Sequence, residues 1–148
     1  MTVLEVEVVK AVRAGVTPAF VRTVLGRAAA VPEIAARLPD GEATVAVRIT
    51  DDQEMQGLNK TYAGEDHATD VLSFEGEGSH LGDIAVSWPR VVDQAEQWGH
   101  GEKEELSVLL VHGLLHLLGW HHATPEETEE MWRLTYIPLT GLRRSPRA

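Results

Sequence analysis

Apolar and polar residues alternate along four short segments of the chain, which is the period of a half-buried β-strand. The first two segments are TVLEVEVV at residues 2–9 and TVAVRIT at residues 44–50. The other two, TDVLSF at residues 69–74 and DIAVSW at residues 83–88, flank an acidic, glycine-rich stretch that is typical of a turn. The pattern therefore predicts four strands.

Helical spacing of apolar residues, together with start and stop signals, predicts about five helices. Thr17–Pro18 and Thr124–Pro125 are N-cap and first-turn pairs, and Asp51 followed by Glu54 resembles a capping box. The predicted helices cover residues 18–30, 51–62, 89–99 and 102–118, and a last one follows Thr124. Because strands and helices do not alternate strictly, we predict an α+β fold with about four strands in a mixed sheet, as a single domain over residues 1–148.

The composition is that of a soluble globular protein, with 43% apolar and 24% charged residues. No run of 18 apolar residues is present, and Glu5 and Glu7 interrupt the apolar N-terminal stretch, so we expect neither a membrane span nor a signal peptide. The chain has no cysteine, which excludes disulfides and thiolate metal ligands. Any metal must therefore be held by histidine and carboxylate, and we expect a cytoplasmic protein.

The net charge of −10 argues against a general nucleic-acid binder, because such proteins obtain most of their affinity from neutralised phosphates. The charges are unevenly distributed: basic residues are frequent in the first quarter, and acidic residues crowd residues 93–105 and 126–130. A polyanion would therefore need a local basic surface. The alternative is that these charges form solvated faces.

Three histidines interrupt the leucine-rich segment HGLLHLLGWHH, residues 112–122. His112 and His116 are four residues apart and lie on the same face of the predicted helix. Gly119 can end that helix and turn the chain so that His122 approaches them. Three neutral imidazoles leave a fourth position open, as in a catalytic zinc site. We predict one metal ion per chain, with zinc preferred and copper, nickel or iron also compatible with these ligands.

The same spacing occurs in the long zinc-peptidase motif, in which a glutamate follows the first histidine and acts as general base. Here Gly113 occupies that position, so the sequence disfavours a peptidase. His121 can be an alternative ligand, a neighbour of the ligands or an exposed residue, and we favour exposure. The alternative for all of these histidines is a hydrogen-bonded place in the core.

The segment HGLLHLLGWHH is similar to the motif of the YbeY family, which runs His-Gly-x-Leu-His-Leu-x-Gly-Tyr-Asp-His. A second block, LNKTYAGEDHATDVLSF at residues 58–74 followed by LGDIAVS, resembles that family's Leu-Asn-x-x-Tyr-Arg … Thr-Asp-Val-Leu-Ser-Phe … Gly-Asp-Ile segment. Both blocks occur in the family's order, so the resemblance covers most of the chain.

This resemblance implies a zincin-like fold and a zinc ion held by His112, His116 and His122. It implies a single-strand-specific, metal-dependent endoribonuclease that acts in small-subunit rRNA 3′-end maturation and in ribosome quality control. The implied partners are single-stranded RNA, the small ribosomal subunit and a ribosome-associated GTPase. Two other functions stay open: a ribosome-associated metalloprotein with little nuclease activity of its own, and a metallohydrolase of another substrate such as peptides.

Two positions depart from the family pattern. Ala63 stands where an arginine usually follows the tyrosine, and we predict that Lys60, three residues earlier on the same helix face, contacts RNA phosphate instead. His121 replaces the acid that normally precedes the third ligand. The sequence identifies no general base; Asp70 and Asp83, at the ends of predicted strands, are candidates that also have structural explanations as turn and strand-end residues.

Overall fold

A four-stranded mixed sheet and six helices make up the computed structural model, which describes residues 1–145. The strands are β1 (Thr2–Lys10), β2 (Gly41–Thr50), β3 (Val71–Glu75) and β4 (His80–Ser87). The helices are α1 (Pro18–Ala29), α2 (Pro32–Ala35), α3 (Asp52–Ala63), α4 (Trp88–Trp98), α5 (Glu102–Leu117) and α6 (Pro125–Tyr136). The α+β prediction is confirmed, and the short α2 is the one helix within the described part that the sequence pattern did not predict. Residues 146–148 of the predicted domain lie outside the described residues.

The sheet combines parallel and antiparallel pairs in the order β1-β2-β4-β3. β2 lies parallel to both β1 and β4, and Ile49 stands opposite Val86. β3 runs antiparallel to β4, and Ser73 stands opposite Ile84. β4 therefore lies between β2 and β3, and β3 is an edge strand whose outer side pairs with no other strand among residues 1–145.

The alternation that predicts the strands separates two faces of the sheet. On β2, Val45, Val47 and Ile49 are at most 1% exposed and belong to one core cluster with apolar residues of α1 and α5. Arg48, between two of them, lies on the opposite, exposed face and pairs with Glu54 of α3. One face of the sheet is therefore core, and the other is in contact with solvent and α3.

The predicted helix starts are confirmed by their caps. The side chains of Thr17, Asp51 and Thr124 each accept a hydrogen bond from the backbone N–H three residues on, at 3.0–3.1 Å. These bonds satisfy donors that a helix leaves unpaired in its first turn. The fourth predicted strand ends slightly early, because Ser87 caps α4 and the helix begins at Trp88.

α5 is the central helix and is buried on nearly every side. Leu110 and Leu114 are 0% exposed, and the helix packs on β3, β4, α1, α4 and α6. A helix that is apolar all round belongs in the interior of a protein. Within residues 1–145, no helix has both the length and the apolar character that would be needed to cross a bilayer. At the start of α5, the buried Glu105 accepts hydrogen bonds from Gln94 Nε2 at 2.8 Å and interacts with His100 Nε2 at 2.6 Å. These contacts fix the helix that carries the first two motif histidines.

Two glycines allow β3, β4 and α5 to approach one another closely. A Cβ atom on Gly82, whose φ is +146°, would lie 2.2 Å from the Phe74 carbonyl oxygen and 2.7 Å from Leu117 Cδ2. A Cβ atom on Gly113 would lie 3.2 Å from Ser73 Oγ, which donates a hydrogen bond to the Gly113 carbonyl oxygen at 3.1 Å. The edge of the sheet and α5 are therefore in backbone-level contact.

We expect Gly82→Ala to lower the free energy of unfolding by about 2 kcal/mol or more, because the added methyl group overlaps backbone and the φ angle is unfavourable for alanine. Gly57→Ala is the matched control, since Gly57 lies in α3 and a Cβ atom there would meet nothing within 4 Å. Removing a helical glycine should raise the free energy of unfolding by up to about 1 kcal/mol. Urea unfolding followed by circular dichroism measures both. Equal stabilities of the two variants would contradict the close approach at Gly82.

Candidate metal centre

α5 presents two histidines at the only half-buried positions of its C-terminal half. His112 and His116 are partly exposed, whereas their helical neighbours from Gly113 to Leu115 are buried. The imidazole rings have centroids 5.1 Å apart, as expected for side chains one helical turn apart. The two rings therefore lie in a stripe of α5 that neither the sheet nor α1 covers completely.

The end of α5 turns the chain back through a Schellman motif. The Trp120 N–H donates to the Leu115 carbonyl oxygen at 3.0 Å, and the Gly119 N–H donates to the His116 carbonyl oxygen at 3.1 Å. Gly119 has φ +93°, the left-handed conformation that this motif needs at the first position after the cap. The Arg37 guanidinium lies 3.6 Å from the Trp120 ring centroid and donates to a carbonyl oxygen at the helix end. The predicted role of Gly119 is confirmed.

This turn brings His122 to the first two histidines. Its ring centroid lies 6.0 Å from that of His112 and 4.9 Å from that of His116. One ligand atom from each ring falls within 4.8 Å of the others, and within residues 1–145 this is the only such group of three or more histidines and acids. His122 is exposed, and its carbonyl oxygen accepts a 3.3 Å hydrogen bond from Thr128 Oγ1. The three predicted ligands therefore meet at one point on the surface.

The environment of His116 favours the neutral imidazole that a metal ion requires. Burial lowers the pKa of His116 below its ordinary range, and the nearby His122 and His121 lower it further because they disfavour another positive charge. Two nitrogens that each lie about 2.1 Å from a zinc ion are at most about 4.2 Å apart. The ligand nitrogens of the three histidines lie within 4.8 Å of one another, so small side-chain rotations would bring them to the distances that one zinc ion requires. The chemistry and the spacing of the donor set thus fit a transition-metal ion.

Two residues of α6 enclose His112 and were not predicted from the sequence as part of a site. The Trp132 ring stacks on the His112 ring at a centroid distance of 4.4 Å and an angle of 20°. Thr135 Oγ1 lies 3.3 Å from His112 Nδ1. In the sequence, the only sign that Trp132 and Thr135 act together is their spacing of three, which places them on one face of a helix. That spacing does not say which other helix this face meets.

The two candidate carboxylates are placed differently. Asp70 accepts hydrogen bonds from the Val71 N–H at 2.8 Å and from Gln94 Nε2 at 3.3 Å, so its carboxylate caps the start of β3. Asp83 is exposed and lies 3.1 Å from His80 Nε2. Its neighbour Ile84 faces α5, and successive strand residues point to opposite faces, so Asp83 lies on the other face of the sheet. The structure brings neither carboxylate into the three-histidine group.

Lys60 lies in the last turn of α3, three residues before Ala63, as the sequence predicts. Its side chain is 67% exposed, and Nζ is 3.7 Å from an Asp66 carboxylate oxygen that is also exposed. An ion pair of this length and exposure contributes little and is easily exchanged. Lys60 is therefore available to another anion.

A groove of about 320 Å³ lies beside His116, between the end of α5 and the edge strand β3. His121 lines this groove and is exposed, as we expected. Gly113, at the position where a zinc peptidase carries its base, faces Ser73 and the sheet, and a Cβ atom there would be closely packed, 3.1 Å from Ile84 Cγ2. The residues that line the groove are Val71, Leu72, Ser73, Glu75, His116, Leu117 and His121.

Comparisons with known proteins give one family. The family model for endoribonuclease YbeY matches residues 16–141. A relative named Endoribonuclease YbeY from Roseiflexus castenholzii is 47% identical over an alignment of 93 positions, with a coverage of 55% of this chain and 58% of the relative. Another of that name from Brevibacillus brevis is 41% identical over an alignment of 119 positions, with a coverage of 68% of this chain and 75% of the relative. A solution structure of a Thermotoga maritima protein shares the fold, with a TM-score of 0.58 at 21% identity over 89% of this chain and 87% of that protein.

The family match begins before α1 and ends after α6, so it includes both sequence blocks and all three histidines of the metal centre. It also includes β3 and the end of α5, which line the groove beside His116. The fold similarity to the solution structure agrees with the predicted zincin-like α+β architecture. The chain therefore belongs to the endoribonuclease YbeY family.

Proposed function

We propose that this chain is a zinc-dependent endoribonuclease that cleaves single-stranded RNA, built as one metallohydrolase domain over residues 1–148. The observation that carries the proposal is the three-histidine centre beside an open groove, in a chain of the endoribonuclease YbeY family. The proposed role is small-subunit rRNA 3′-end maturation and ribosome quality control in the cytoplasm. The proposed partners are the small ribosomal subunit and a ribosome-associated GTPase.

The three imidazoles are the residues that would hold one zinc ion. His112 and His116 are kept on a helix that is fixed in the core, and His122 is delivered by a glycine turn, so the donors are largely preorganised. The chemistry that zinc supplies when bound in such a site is Lewis acidity toward oxygen atoms of water and phosphate. Three protein ligands leave a position for that chemistry, which is the arrangement of catalytic and not of structural zinc sites.

The groove beside His116 is where we place the RNA backbone. It runs from the metal centre to the edge strand β3, and His121 in its wall carries a ring N–H that can donate to phosphate oxygen. Lys60, on the exposed side of α3, is the proposed electrostatic contact with a phosphate group further along the RNA. The proposal assigns no side chain as general base, because Asp70 caps β3 and Asp83 lies on the other face of the sheet.

A second candidate function is a ribosome-associated metalloprotein with little nuclease activity of its own. The observation that favours it is Ala63, which supplies no charge at the exposed end of α3. A peptidase is less well supported, because Gly113 stands where the usual glutamate base would be. Zinc content and RNA cleavage separate these functions.

Wild-type protein should contain about one zinc ion per chain, and His116→Ala should lose it, because a two-histidine site binds transition metals much more weakly. Elemental analysis of untagged protein, before and after zinc is offered at neutral pH, measures the content. His67→Ala is the control, since this exposed histidine is bonded to Glu65 and to the Ala68 carbonyl oxygen and not to the three-histidine group. A wild type without metal would rule out the metal centre.

Cleavage of a single-stranded RNA oligonucleotide should fall by at least about 100-fold on chelation and in His116→Ala, because both remove the Lewis acid from the groove. A duplex of the same sequence should resist cleavage. Intact RNA together with a full complement of zinc would favour the second candidate function. Zinc-dependent release of peptides from casein would revive the peptidase.

Lys60→Ala should weaken RNA binding, and the slope of log K against log salt concentration should become shallower by about 0.7, the value for one phosphate contact on a single strand. Lys10→Ala is the matched control, because it changes the net charge equally at the exposed end of β1. Fluorescence anisotropy at several salt concentrations measures both slopes. The same slope in wild type and Lys60→Ala would remove Lys60 from the binding surface.

A further inference from the structure

We infer that Thr135 is a positioning residue for the metal centre, whose hydroxyl group fixes His112 as the Nδ1–H tautomer and so makes Nε2 the metal-binding nitrogen. The inference rests on the proposed metal site and deepens it. It assigns a function to a residue of α6 that lies outside both sequence motifs.

A threonine hydroxyl has a single proton to donate and lone pairs with which to accept. Thr135 Oγ1 lies 2.7 Å from the Met131 carbonyl oxygen, one turn earlier in α6, and a carbonyl oxygen can only accept. The hydroxyl proton is therefore used within the helix, as is common for threonine in helices. Toward His112 Nδ1, at 3.3 Å, the same oxygen can act only as an acceptor.

An acceptor at this place selects the tautomer of the neutral ring. Nδ1 must carry the proton that Thr135 accepts, which leaves the lone pair of the neutral imidazole on Nε2. Metal-binding histidines generally donate their second N–H to a protein acceptor, and the contact fixes both the tautomer and the ring orientation. The geometry at His112 provides that arrangement with a hydroxyl group as the acceptor.

Burial prevents water from replacing the hydroxyl. Thr135 is 0% exposed, and Trp132 is 9% exposed and stacked on the His112 ring. A hydrogen bond to a buried hydroxyl group is shielded from solvent, so its loss weakens the hold on the His112 ring. α6 thus holds the His112 ring by stacking on its face and by bonding to one edge.

The test uses Thr135→Val, which keeps the shape but removes the acceptor, and Thr135→Ser, which keeps the acceptor. Zinc affinity, measured by competition with a chromophoric chelator, should fall about 10- to 100-fold in Thr135→Val and stay near the wild-type value in Thr135→Ser. Thr23→Val is the matched control, because Thr23 Oγ1 makes the same bond to a carbonyl oxygen one turn earlier, in α1. Circular dichroism verifies that each variant is folded.

A second readout does not depend on metal binding. Long-range ¹H–¹⁵N spectra of the metal-free protein at about pH 8.5, about two units above the ordinary histidine pKa of about 6.5, report the tautomer of each neutral ring. Wild type and Thr135→Ser should show protonated Nδ1 at His112, and Thr135→Val should show a mixture. Protonated Nε2 at His112 in the wild type would overturn the inference, and so would unchanged zinc affinity in Thr135→Val. A wild type with the expected tautomer at His112 but without zinc binding would support the hydrogen bond between Thr135 and His112. The same result would overturn the role of Thr135 in metal binding, together with the proposed metal site.

Discussion

The close packing of α5 against β3 and β4 is the constraint on which the metal centre depends. Gly82 and Gly113 let the helix and the edge of the sheet meet at backbone distance, and Ser73 bonds directly to the helix backbone. With that side of α5 closed, the half-buried stripe of the helix is the one that carries His112 and His116. The apolar character of the helix keeps it buried and therefore rigid. A rigid helix holds the imidazoles in place as preorganised metal ligands.

The same packing limits the chemistry that the centre can perform. The position that carries the general base in long-motif zinc peptidases is turned toward Ser73 and the sheet, where a Cβ atom would lie 3.1 Å from Ile84 Cγ2 and 3.2 Å from Ser73 Oγ. The fold therefore retains the ion-binding geometry of that motif without its proton-transfer group. The open side of the centre is the groove along β3, and the closed side is α6 with its stacked tryptophan. The centre thus depends on three elements: the central helix, the glycine turn and α6.

Local geometry explains which parts of the site could be predicted from the sequence. The i, i+4 spacing and a left-handed glycine after a helix are properties of the local backbone. The sequence around Gly119 was therefore enough to predict that His122 lies near the other two histidines. The contact of Thr135 with His112 joins residues 23 positions apart on different helices, and only tertiary packing decides which face of α6 meets α5. The face of the sheet on which Asp83 lies was likewise not predictable. The alternation in β4 separates two faces, but it does not say which of them meets the helix that carries the histidines.

The negative charge of the chain bears on how such a site can bind RNA. Part of the acidity has structural partners, since Glu105 is bonded to Gln94, and Glu130 and Glu129 of α6 pair with Arg133 and Arg144. Acidic residues in the first turn of α5 also interact favourably with its macrodipole. A net charge of −10 nevertheless leaves no general attraction for a polyanion. Affinity for RNA must then arise at the groove itself, where a zinc ion in the proposed site would supply cationic charge, so RNA binding should depend on bound zinc more strongly than in a basic nuclease.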